Sequence, residues 1–169
     1  MKKLSARLGV LTVLAPLVAG LSTSVDAAEK ETVKWTHTAR QTISETKSTP
    51  TPDHELVQAI YMDSVKTRSP EFDIIETRIF NQDDTVNGDG RHRGVEIDIF
   101  SNGDTAINNY EGTHKVITKE GGSWEVNYEG KFEFAGGTGR FKTLRGHGTY
   151  RGHITPEGLT EEDEAEVTY

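Results

Sequence analysis

The side chains best suited to chemistry are polar groups at alternate positions of otherwise apolar runs. His37 and Gln41 fall in phase with Val33, Trp35, Ala39 and Ile43. Tyr110 and His114 belong to one later run, Tyr128 to the next beside Trp124, Val126, Phe132 and Phe134, and Asp163, with Glu161, to the last. Apolar surface with a few convergent polar groups is the usual make-up of a small-molecule site. His37, His114 and Asp163 are the groups able to act as acid or base if burial or a neighbour shifts them. The competing reading is a filled interior in which these groups satisfy one another, for example Tyr128 with His114 and Tyr150 with Asp163.

Such a face needs strands to hold it. Alternation with period two runs through 33–44, 54–68, 73–82, 91–101, 104–119, 123–134, 140–155 and 159–169. Turn chemistry separates the runs: TPTPD, DDTVNGDG, SNGD, KEGGS, AGGTG and TPEG. Asn102-Gly103 reads as a two-residue type I′ hairpin turn that pairs Ser101 with Asp104. Ile99 then faces Ala106, Ile97 faces Asn108 and Val95 faces Tyr110, so Val95, Ile97 and Ile99 join the interior. Pairing Thr118 with Trp124 puts Val116 against Val126, His114 against Tyr128, Gly112 against Gly130 and Tyr110 against Phe132. Joining Ile154 to Leu159 sets Gly148 against Ala165, Gly146 against Val167 and Tyr150 against Asp163. On the outer face Arg151 meets Glu162 and His147 meets Glu166, which reads as cross-strand charge pairing. The alternative for the His147/His153 row, a metal site, lacks a third ligand. The expected fold is all-β: an eight-stranded antiparallel up-and-down barrel of the calycin type, with an open two-sheet sandwich as the alternative.

Glycine is dense between 112 and 158, at positions 112, 130, 146, 148 and 152 on the inward face. Missing side chains there imply vacated interior volume. The acidic loop at 83–90 lacks the ligand spacing and closing Glu of a calcium-binding EF-hand and reads as a solvated turn. Gly136–Arg140 is Gly-rich, yet no helix follows to make a phosphate site.

Residues 1–27 have a basic start with Lys2, Lys3 and Arg7, an apolar stretch broken by Pro16, and Val25 and Ala27 at the −3 and −1 places. This is the pattern of a cleavable export signal, with one domain at 28–169 and a secreted or periplasmic destination. Cysteine is absent from the whole chain, so stability rests on packing and sheet pairing. The chain carries 19 basic and 27 acidic residues; removing Lys2, Lys3, Arg7 and Asp26 with the leader leaves 16 and 26. That acidic surface disfavours nucleic acid as a partner. No run after the leader reads as a membrane span.

The segment GGTGRFKTLRGHGTYRG, Gly136–Gly152, resembles the GG-x-G-x-F…G-x-G segment of the allene oxide cyclase and dirigent-like β-barrel superfamily. With the acidic strand that follows, the resemblance covers about a fifth of the domain. It implies a barrel with a central cavity acting on, or orienting, an apolar or phenolic molecule with neither metal nor organic cofactor. Related barrels assemble into oligomers. The matching positions are glycines and structural residues, so the resemblance assigns no catalytic residue. Three functions are compatible with these residues. The first is binding of an apolar or aromatic small molecule, with Trp35, Tyr110, Trp124 and Phe132 as wall and His37 and His114 orienting polar atoms, beside Gln41, Tyr128 and Asp163. The second is a cofactor-free isomerase or cyclase. The third is a filled barrel that acts through its acidic outer surface.

Overall fold

The computed structural model describes residues 30–67, 69 and 72–169. The expected export signal lies outside the described residues, as does the side chain of Ala39. Eight strands are found among the described residues: β1 (Glu31–Thr51), β2 (His54–Thr67), β3 (Ile74–Val86), β4 (Asp89–Phe100), β5 (Thr105–Thr118), β6 (Trp124–Gly137), β7 (Arg145–Thr155) and β8 (Gly158–Thr168). The protein is all-β, with no α-helix in the described residues and no helix there long and apolar enough to cross a membrane. Each strand pairs antiparallel with the next, and β8 returns to pair with β1, so one sheet closes in a ring and leaves no open edge. The open sandwich is thereby excluded.

Two of the three expected registers are found. Thr118 pairs with Trp124, His114 with Tyr128 and Tyr110 with Phe132 across β5–β6. Ile154 pairs with Leu159, Tyr150 with Asp163 and Gly148 with Ala165 across β7–β8. In β8, Leu159, Glu161, Asp163, Ala165 and Val167 are buried while the residues between them face water, apart from half-buried Thr168 at the end. Outside, Arg151 donates to Glu162 at 3.0 Å, with both side chains largely solvated. Exposed pairs of this kind contribute little. Arg151→Ala is therefore expected to shift stability by less than about 0.5 kcal/mol, read as an almost unchanged urea midpoint.

The third register is offset by one residue, which turns β4 over. Ile99 pairs with Thr105, Asp98 with Ala106 and Glu96 with Asn108. The reason lies in the turn. Gly103 has φ +87°, but Asn102 is not in the left-handed region that a type I′ turn demands of both central residues. Gly103 N–H instead bonds the Phe100 carbonyl at 2.9 Å, and the Asn102 side chain accepts the Asp104 N–H. This is a type I turn followed by a left-handed glycine, one residue longer. Its consequence is a full inversion of face. His92, Glu96, Asp98 and Phe100 are buried inside, and Val95, Ile97 and Ile99 are half-buried on the outer side. The type I′ turn sits instead at Asn87-Gly88, with φ +55° and +85°, joining Val86 to Asp89. Most of the expected loop at 83–90 is thus strand.

A second inversion occurs in β1. Register shifts fall between His37 and Ala39 and between Thr42 and Ser44. A bulge adds a residue and swaps the face of the strand beyond it. His37 points inward, Arg40 comes next on the inward side, and Gln41 and Ile43 are exposed outside.

The inward glycines do not leave empty volume. Gly94 pairs with Tyr110, Gly130 with Tyr150, Gly148 with Phe132 and Gly152 with Tyr128. A Cβ at any of these four would overlap the partner's ring. The far end of each aromatic ring lies against the glycine beside it, so the vacated space is used by aromatic packing. One end of the ring is closed. Phe72 from the β2–β3 connection, and Phe141 and Leu144 from the β6–β7 connection, are fully buried against Trp35, Phe100, Phe132 and Phe134. Phe72 lies 5.0–5.9 Å, centroid to centroid, from Trp35, Phe100, Phe134 and Phe141. Residues 138–144, expected to form a tight hairpin and the start of a strand, make this cap through a 3-10 turn at Gly139–Phe141.

Candidate functional site

Above the apolar cap lies a layer of ionisable groups. His37, fully buried, has Nδ1 3.4 Å from both Asp63 Oδ2 and Glu161 Oε1. Its Nε2 is 3.4 Å from Asp163 Oδ2 and 3.7 Å from Glu96 Oε1. Arg40 reaches Asp63 through Nε at 3.4 Å and stacks its guanidinium 4.3 Å over the Tyr61 ring. Asp98 is completely buried beside Glu96 and Asn108. Five carboxylates thus face two cationic side chains. Buried charges at such imbalance are costly, so protons are retained. Burial lowers the affinity of His37 for a proton, but Glu161, Asp63 and Glu96 outweigh it and push the imidazole up to about 9. Burial drives Asp98 up to about 6 and holds Glu96 and Asp163 well above the usual carboxylate range. The Trp35 indole N–H lies 3.1 Å from His37 Nε2 and can donate there only when that nitrogen is unprotonated.

Over this layer the ring opens into a cavity of about 270 Å³. Tyr61, Tyr110, Tyr128, Tyr150, His92 and His114 form its wall, and Val57, Val116, Val126 and Ile154 its rim. Arg40, Glu96 and Glu161 line its floor, so the proton-holding layer touches the cavity directly. Hydrogen bonds fix the wall. His92 Nε2 and the Tyr150 hydroxyl are 2.6 Å apart, the Tyr110 hydroxyl donates to Asn81 Oδ1 at 2.7 Å, and Asn81 Nδ2 donates to Asp83 at 2.7 Å. His92 and His114 face each other with Nδ1 atoms 3.4 Å apart. Burial, His114 and Arg40 hold His92 down at about 4, so it is neutral at pH 7.

Of the residues expected at the site, Tyr110, His114 and Tyr128 line the cavity. His37 and Asp163 lie beneath it in the ionisable layer. Trp35 and Phe132 belong to the closed apolar end, 5.7 Å apart. Trp124 stands at the open end, 42% exposed. Gln41 is on the outer surface, removed from the site by the β1 bulge. Sequence reasoning missed Asp63, Glu96, Asp98, Arg40, Asp83 and His92. The signal for the β4 group was present, because His92, Glu96 and Asp98 alternate as regularly as Val95, Ile97 and Ile99. Hydropathy favoured the wrong set.

Two clusters offer metal-ligand atoms within 4.8 Å of one another: His37, Glu161 and Asp163 in the buried layer, and Asp83, His92 and His114 on the cavity wall. Compared with known proteins, the chain matches no protein family and no curated protein.

Proposed function

We propose that this is an exported, eight-stranded up-and-down barrel of the calycin type that binds a compact aromatic or phenolic molecule in its open end. The observation that carries the reading is the cavity of about 270 Å³ walled by four tyrosine rings and two imidazoles under an apolar rim. Its size falls just below the ~300–1,000 Å³ of drug-sized sites, so the ligand is small. Ring faces offer stacking, and the tyrosine and histidine tips offer hydrogen bonds to a hydroxyl or carboxyl group. The likeness of Gly136–Gly152 to the allene oxide cyclase and dirigent-like superfamily points the same way. The test is a fluorescence titration with a panel of phenols, aromatic acids and short lipids, run with a chelator present. Saturable quenching of Trp124 is expected, and Ile154→Trp, which narrows the mouth, should weaken it at least ~10-fold. A panel that changes nothing would sink the binding reading.

One observation favours a second reading, a cofactor-free isomerase or cyclase. Glu96 and Glu161 reach both the cavity and the ionisable layer. Burial holds Glu96 well above the usual carboxylate range, and a carboxyl group that keeps its proton is the form a general acid requires. A bound ligand recovered chemically unchanged after long incubation would favour binding alone.

A further inference from the structure

Asp83, His92 and His114 come from three successive strands and share one interior face. Asp83 stands directly opposite His92 across β3–β4, and His114 is diagonal to His92, two residues beyond Gly112, across β4–β5. The two imidazoles turn their Nδ1 atoms toward each other at 3.4 Å. Two nitrogens bound at 2.0–2.1 Å to one tetrahedral ion are separated by about 3.3–3.4 Å, so this spacing is the one a shared zinc ion would set. An Asp83 carboxylate oxygen and one nitrogen of each imidazole lie within 4.8 Å of one another.

The surroundings hold each group in a ligating attitude. His92 has its other nitrogen, Nε2, engaged by the Tyr150 hydroxyl at 2.6 Å, which aims Nδ1 away from that contact. Gly112 makes this possible, because a Cβ there would overlap both the Tyr150 hydroxyl and His92 Nε2. One Asp83 oxygen accepts from Asn81 Nδ2, and Asn81 is held in turn by the Tyr110 hydroxyl. Such outer hydrogen bonds fix ring and carboxylate orientation at metal sites. Arg40, which lines the same cavity, is occupied by Asp63 and Tyr61.

We infer that Asp83, His92 and His114 form a binding site for one divalent transition-metal ion, zinc by its two-nitrogen, one-carboxylate donor set, with its remaining coordination position open to the cavity. Three protein ligands and one open position are the arrangement in which zinc meets a water or a ligand oxygen. The two kinds of binding are read separately, because the organic titration is done in chelator. The same two nitrogens would otherwise share a single N–H···N hydrogen bond, and metal binding distinguishes the two arrangements.

The test uses tag-free chain stripped with chelator and titrated with Zn²⁺ by calorimetry, then with Co²⁺ followed by visible absorption. One ion per chain is expected, with the absorption bands of four- or five-coordinate cobalt. His114→Gln and His92→Gln should each weaken binding at least ~100-fold, and Tyr150→Phe, a positioning change, ~10–100-fold. His147→Gln, on the outer face, should bind as the parent does. Circular dichroism of each metal-free variant verifies folding, and half-buried His114 is the substitution least disturbing to the core. Absence of stoichiometric binding overturns the site. So does undiminished binding in His114→Gln with loss in His147→Gln, which would place the ion on the outer histidine row.

Discussion

At pH 8 the Asp98→Asn chain is expected to be more stable than the parent by about 3 kcal/mol, and at pH 4 nearly equal to it. Asp98 is completely buried, and burial raises it to about 6. The folded chain therefore holds this proton more tightly than the unfolded chain. Stability from the protonated group is fully present below the unfolded value near 4 and is lost as pH rises through 6. Asparagine has the shape of the neutral acid and no proton to lose. The gain of the variant should open between pH 4 and 6 and stay level above. His92, held down at about 4, acts in the opposite sense, adding stability as pH rises from 4 to 6.5 in both chains, so it cancels in the difference. His37, raised to about 9, makes both chains less stable as pH climbs from 6.5 through 9. Urea midpoints at four pH values measure all of this. A gain already complete at pH 4, or a loss at pH 8, would contradict the account of the buried layer.

Gly148→Ala is the second large effect. In an uncrowded position that an alanine can adopt, the exchange stabilises by about 0.4–1 kcal/mol through the unfolded chain. Here the sign is expected to reverse, with a loss of about 1–3 kcal/mol from overpacking. The added Cβ meets the Phe132 ring and the Glu164 carbonyl, and Phe132 is itself pinned against Trp35 and Phe134. The effect is tied to that ring. In a Phe132→Leu background the same glycine substitution should cost distinctly less, a coupling that a double-mutant cycle reads directly. Equal costs in the two backgrounds would show that the glycine serves the backbone alone.

Where turn length and polar alternation agreed, the strands were legible without coordinates. KEGGS and TPEG set the β5–β6 and β7–β8 registers, and the acidic outer face of β8 left one choice for its inner face. The β4 strand failed because both of its faces carry plausible core residues. Only the backbone of the Ser101–Gly103 turn, a torsional fact, decides whether aliphatic or ionisable groups go inside. The β1 bulge failed for a similar reason, since no residue type marks it and its outcome is the exchange of Gln41 for Arg40. The glycines were correctly placed inward and wrongly read as space, because the turns did not fix the β6–β7 register that sets Tyr150, Phe132 and Tyr128 beside Gly130, Gly148 and Gly152.

Sequence alone therefore determined the all-β class, the succession of strands, the inward phase of β5 to β8, and the presence of His37, Tyr110, His114, Tyr128 and Asp163 on interior faces. Local rules suffice for these, since alternation and turn chemistry act over a few residues. Tertiary structure decided the rest. It closed β8 onto β1, capped one end with Phe72 and Phe141, stacked Asp63, Glu96, Asp98, Glu161 and Asp163 around His37, and brought Asp83, His92 and His114 together on one wall. Those groups come from strands far apart in the chain or from a strand whose facing hung on a single turn. Their shared chemistry arises from closure of the ring, which converts separate polar positions into one desolvated, mutually interacting set.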